Sequence, residues 1–152
     1  AHPLIVHLPV VLVPLATIGA LLMAIRPQWR RTYAIPTAVL AAVAAISTQL
    51  ALTSGEELEE SVRRSRLIEQ HSEIAEQTRP FVFVFAALMI AVAVWEVVQR
   101  RRTDADDRKL PNPARVMLAL VVAGLAFGAI STVQVYRTGH SGATATWHDQ
   151  DE

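Results

Sequence analysis

Residues 116–136 read VMLALVVAGLAFGAISTVQVY, a stretch without a single charge. A helix needs about 20 predominantly apolar residues to cross the core of a bilayer, and this stretch meets that requirement unaided. Three other runs do the same, at 4–25, 33–52 and 81–98. A soluble domain of 152 residues would not need four of them. The sequence therefore predicts an all-α membrane protein: a single domain over 1–152, folded as a four-transmembrane-helix bundle with helices at about 3–25, 33–53, 71–99 and 115–138. The first run has no basic leader and no small-residue cleavage pattern, so it reads as a span rather than a signal peptide. Pro80 falls at the first turn of the third apolar run, where a missing N–H costs least.

Composition narrows the function classes. The chain is 52% hydrophobic with zero formal net charge, so it lacks the basic footprint of a nucleic-acid-binding protein. It has no cysteine, which excludes thiolate ligands, disulfides and haem attached through thioethers. No nucleophile–base set, phosphate loop, dinucleotide fingerprint or H-E-x-x-H zinc motif is present.

Charge between the spans sets an orientation. One side carries Arg26, Arg30, Arg31, Arg100, Arg101, Arg102, Arg108, Lys109 and Arg115; the other carries Arg63, Arg64, Arg66, Arg79 and Arg137. The positive-inside rule places the first set in the cytoplasm, with both termini and the 53–79 loop extracytoplasmic. That loop reads as an extra amphipathic helix over about 55–70. Ser54 stands as its cap, Glu56 and Glu57 in its first turn, and Leu58, Val62, Leu67 and Ile68 recur toward His71.

All five histidines then fall on the outer side: His2 and His7 at the first span, His71 before the third, His140 and His148 after the fourth. Polar residues sort the same way, with Ser47, Thr48 and Gln49 on the second span and Ser131, Thr132 and Gln134 on the fourth. Polar groups in hydrocarbon are retained where they face a partner or a cavity, whether a cofactor or a neighbouring helix. His7 lies within or near the membrane, and Pro9 and Pro14 behind it can kink the helix and open room. His2 can equally cap that helix, and His71 can equally be a satisfied core residue. Gly124 and Gly128 admit close approach of another helix or of a flat macrocycle, packing being the commoner use. Gly139 is expected to end the fourth helix, so that His140 turns back over the bundle mouth. His148 carries the least weight.

Imidazoles clustered on one side are suited to haem b, one or two, with axial ligands from His7, His71, His140 and His2. Arg63, Arg64, Arg66, Arg79 and Arg137 are candidate propionate partners, and Gln49 and Gln134 are further candidate cofactor-binding residues. The alternative is a copper or zinc site built from the same four histidines. A third reading is a structural accessory subunit of a larger membrane complex, its histidines in ordinary interfacial roles.

The motif His2-Pro3-x-x-Val6-His7-x-Pro9 resembles the opening of the domain-of-unknown-function 2231 family of bacterial four-helix membrane proteins. Thr53-Ser54-Gly55-Glu56-Glu57, His71, Gly139-His140-Ser141-Gly142-Ala143 and Trp147-His148 fit its later motifs. Ala143 and Thr146-Trp147 depart slightly from its pattern, and Leu8 replaces the commoner Phe. The resemblance implies a multi-pass protein of the bacterial cytoplasmic membrane that binds haem through its histidines. It carries over no activity. The expected role is electron transfer in the bilayer with a redox partner, quinone or larger complex, rather than independent catalysis.

Overall fold

A computed structural model describes residues 2–61, 66–102 and 113–148, with side chains described for 7–55, 72–101 and 113–140. The described chain is helical. Helix α1 covers His2–Ile25, a 3-10 turn covers Pro27–Trp29, and α2 (Arg30–Ser61), α3 (Arg66–Arg102) and α4 (Pro113–His148) follow. Each of the four is long and apolar enough to cross a membrane. They pack as a ring in chain order: α1 against α2 and α4, and α3 against α2 and α4, leaving α1 and α3 on opposite corners.

The buried positions explain the ring. On α1 they are Pro9, Val13, Ala16, Ala20 and Met23; on α2, Arg30, Ala34, Thr37, Ala41, Ala44 and Thr48. On α3 they are Thr78, Val82, Phe85, Met89 and Val92; on α4, Met117, Val121, Gly124, Gly128, Ser131 and Val135. Every helix alternates steps of four and three, the heptad spacing that makes straight seams between near-antiparallel helices. α2 contributes mostly alanine, so it approaches its neighbours closely. The bulk comes from Phe85, Met89 and Met23. The outward faces carry Val11, Ile18, Ile25, Val39, Ile46, Val94 and Val133, all exposed, as lipid-facing positions are.

Helix boundaries differ from the sequence expectation at the histidine end. There is no separate outer-loop helix beginning at residue 55: α2 runs through to Ser61, and residues 66–70 are the start of α3. Ser54 accordingly does not cap. Its hydroxyl donates to the Ala51 carbonyl at 3.1 Å, in mid-helix. Glu56, Glu57, Leu58, Glu59 and Glu60 are good helix formers, and their summed preference exceeds the cost of about 1 kcal/mol for Gly55 inside a helix. Pro80 lies inside α3, as expected of a helix that begins upstream of the apolar run, and α3 begins at Arg66. Gly139 does not end α4, which continues to His148.

Candidate functional site

Two interhelical hydroxyl pairs set the levels of the bundle. Thr17 of α1 meets Thr132 of α4 at 3.2 Å, and Thr78 of α3 meets Thr138 of α4 at 3.1 Å. Each of these threonines also bonds back to its own helix: Thr17 to Val13, Thr132 to Gly128, Thr78 to Ile74 and Thr138 to Gln134, at 2.8–2.9 Å. A hydroxyl has one proton, so in each pair the one that donates across gives up its own-turn bond while the other keeps it. Ser47 and Thr48 of α2, both buried, donate to the Ala44 carbonyl. The hydroxyls thus form a polar zone that runs from mid-bundle, at Thr17 and Thr132, toward the histidine end, at Thr78 and Thr138. They satisfy one another and the backbone, except Ser131, whose buried Oγ has no partner among the described residues.

Below that zone the bundle is filled. A methyl placed on Gly124 would run into the Met89 side chain, and one on Gly128 would meet Thr17 Oγ1 at 2.8 Å and the Phe85 ring at 2.9 Å. These glycines therefore accommodate α3 and α1, and the packing reading holds at both. No flat macrocycle fits against that part of α4.

The predicted ligands separate into two groups. His7 and His140 are both exposed, on α1 and α4. The His140 ring stacks on Tyr136, with centroids 6.3 Å apart and planes 8° apart, on the outer face of α4 rather than over the mouth of the bundle. Arg137, also exposed, donates to Gln134 at 3.3 Å. Gln49 and Arg79 line an open cleft between α2 and α3, with Pro80 and Phe83. The backbones of His2 and His71 belong to α1 and α3, while their side chains, like that of His148, lie outside the described residues. Among the described residues no group of three or more His, Asp or Glu side chains is placed to hold a metal.

Register relates His2 to His71. Along the chain, His2 stands seven residues before buried Pro9 and His71 seven before buried Thr78, one heptad in each case. Their axial levels follow from the hydroxyl pairs. Thr138 is six residues past Thr132 on α4, so the level of Thr17 falls on α3 six residues past Thr78, at Val84. Counting fifteen residues outward from Thr17 reaches His2, and fifteen from Val84 reaches Glu69. His71 is two residues from that level, about 3 Å at 1.5 Å per residue. Sequence reading found these histidines but not their register. The signal was the threonine at heptad positions, which marks where the seams run.

The arrangement is that of a polytopic all-α membrane protein: a four-helix bundle with apolar outer faces, a hydroxyl layer, and histidines gathered at one end. Within that class the chain belongs to the DUF2231 family, described as a predicted membrane protein, which matches residues 1–150. No curated protein and no solved structure matches it.

Proposed function

We propose that this protein is a small membrane cytochrome b, with haem held at the histidine end of the bundle by His2 and His71 and one-electron transfer as its role. The observation that supports the reading is that the backbones of these two residues stand at about one level of α1 and α3, each one heptad before a buried position. Imidazoles there would supply the one or two ligands that haem b requires. A zinc or copper site asks for three or four ligands, one or two more than this pair supplies. The filled seam at Gly124 and Gly128 excludes the middle of the bundle, so the ring belongs beyond the hydroxyl layer.

The group itself would supply reversible one-electron chemistry at iron. The chain's own contribution is to hold it and to limit what it can do. Ligation by both imidazoles leaves no open coordination position, which suits electron exchange with a membrane partner rather than catalysis on a bound substrate. The hydroxyl layer positions α1 and α3 through their common neighbour α4. Arg63, Arg64 and Arg66 are the cations nearest in sequence for the propionates, in place of Arg137, which is engaged on the outer face. His7 and His140 have no required part in ligation. The arginine-rich end is cytoplasmic, which puts the haem at the extracytoplasmic surface of a bacterial cytoplasmic membrane.

The test is the absorption spectrum of the purified full-length protein, alone and after addition of haemin, with metal analysis of the same sample. A Soret band with sharp reduced α and β bands is expected. A colourless protein that takes up no haemin, with or without stoichiometric copper or zinc, would overturn the reading.

A further inference from the structure

The cleft between α2 and α3 is separate from the proposed ligands and has chemistry of its own. Its walls are Gln49, Arg79, Pro80 and Phe83, and its volume is about 360 Å³. It opens sideways, toward the face that meets lipid: Phe83 is 44% exposed, and Val84 of α3 and Ile46 of α2 are exposed as well. The four residues are graded by depth. Gln49 lies three residues inside the end of the 33–52 apolar run of α2, and Arg79 immediately precedes the apolar run of α3, so the guanidinium stands nearest the headgroups with the amide within reach below it. Pro80 and Phe83 lie below them, toward the hydrocarbon. Pro80 also lacks the N–H that would bond the Glu76 carbonyl, which leaves a backbone acceptor near the mouth.

Arg79 makes no hydrogen bond or ion pair among the described residues, although Glu76 lies one turn outward on the same helix. A guanidinium at the membrane surface, unpaired and beside an amide donor, is matched by a phosphate, which accepts two parallel N–H bonds from it. The apolar floor is matched by an acyl chain. We propose that this cleft is a binding site for one anionic phospholipid, its phosphate on Arg79 and Gln49 and a chain laid over Pro80 and Phe83. The site does not depend on the haem reading.

Native mass spectrometry of the full-length protein, titrated with dioleoyl phosphatidylglycerol or dioleoyl phosphatidylcholine, tests it. The expected result is one tightly held phosphatidylglycerol, preferred about tenfold over phosphatidylcholine, which offers the same phosphate but adds a choline cation that the Arg79 guanidinium repels. Arg79→Gln should remove the preference, Gln49→Leu should weaken it less, and Arg101→Gln at the opposite end should leave it intact. Equal retention of the two lipids would overturn the proposal, as would a preference that survives Arg79→Gln or disappears in Arg101→Gln. Displacement of phosphatidylglycerol by decylubiquinone that binds wild type and Arg79→Gln equally would assign the cleft to a neutral ring, and would also overturn it.

Discussion

The two ends of the bundle hold their polar groups in different ways. At the arginine end, cations tie the chain together. Arg30, 9% exposed, donates to the Met23 carbonyl at 3.1 Å, one of the acceptors that the last turn of α1 leaves without a helical partner. Arg100 bonds Glu96 at 3.2 Å and also reaches the Arg31 carbonyl, joining the end of α3 to the start of α2. Arg26 lies over the Trp29 ring, which packs edge-on to Tyr33. At the histidine end the described links between helices are neutral hydroxyl pairs, while Arg79, Arg137, Glu73 and Glu76 are exposed and tie no helix to another among the described residues. Charge at one end serves capping and orientation. At the other, small uncharged links set levels and leave the titratable, metal-competent groups to the site.

This contrast can be broken at several points. The largest effect concerns orientation. The chain has no cysteine, so Lys109→Cys provides a single reactive thiol at the arginine end. A membrane-impermeant maleimide should label it only after the cells are permeabilised; full labelling of intact cells would invert the topology. Next is the filled middle. Gly128→Leu drives a branched side chain into Thr17 and Phe85 and should cost about 3 kcal/mol, read as a lower midpoint of thermal unfolding in detergent. A midpoint equal to wild type would mean that the seam has spare room. Arg30→Met removes a buried charged donor from a helix-end carbonyl and should cost about 2 kcal/mol in the same assay. The smallest effect belongs to Ser131→Ala. Its hydroxyl lacks a partner, so removing it should be neutral or stabilise by up to about 1 kcal/mol, where a loss would reveal a hydrogen bond made by that group.

Most of the fold was legible in the sequence because a bilayer leaves few choices. Four apolar runs near the length of a span, with Glu96 as their one charged residue, determine both helix number and class. The ends were less legible. Gly55 and Gly139 read as punctuation in water, yet both lie inside continuous helices, since one or two glycines cost less than the turns around them gain. The candidate site was less legible. Position along the chain favoured His7, His71 and His140, with His2 as a fourth, and the two of these whose side chains are described, His7 and His140, are both exposed. Their facing depends on which positions form the seam. That is decided by small residues such as Ala16, Ala41 and Gly128, whose role in close packing composition alone does not reveal.

The central claim is that His2 and His71 form the axial pair, and a set of single His→Ala variants tests it most directly. Each is purified in full length, loaded with haemin, reduced and scanned. The account predicts that His2→Ala and His71→Ala each lose the sharp reduced α band while remaining folded by circular dichroism, and that His7→Ala and His140→Ala keep it. Loss of the band in His7→Ala or His140→Ala, with His2→Ala and His71→Ala unchanged, would contradict the account.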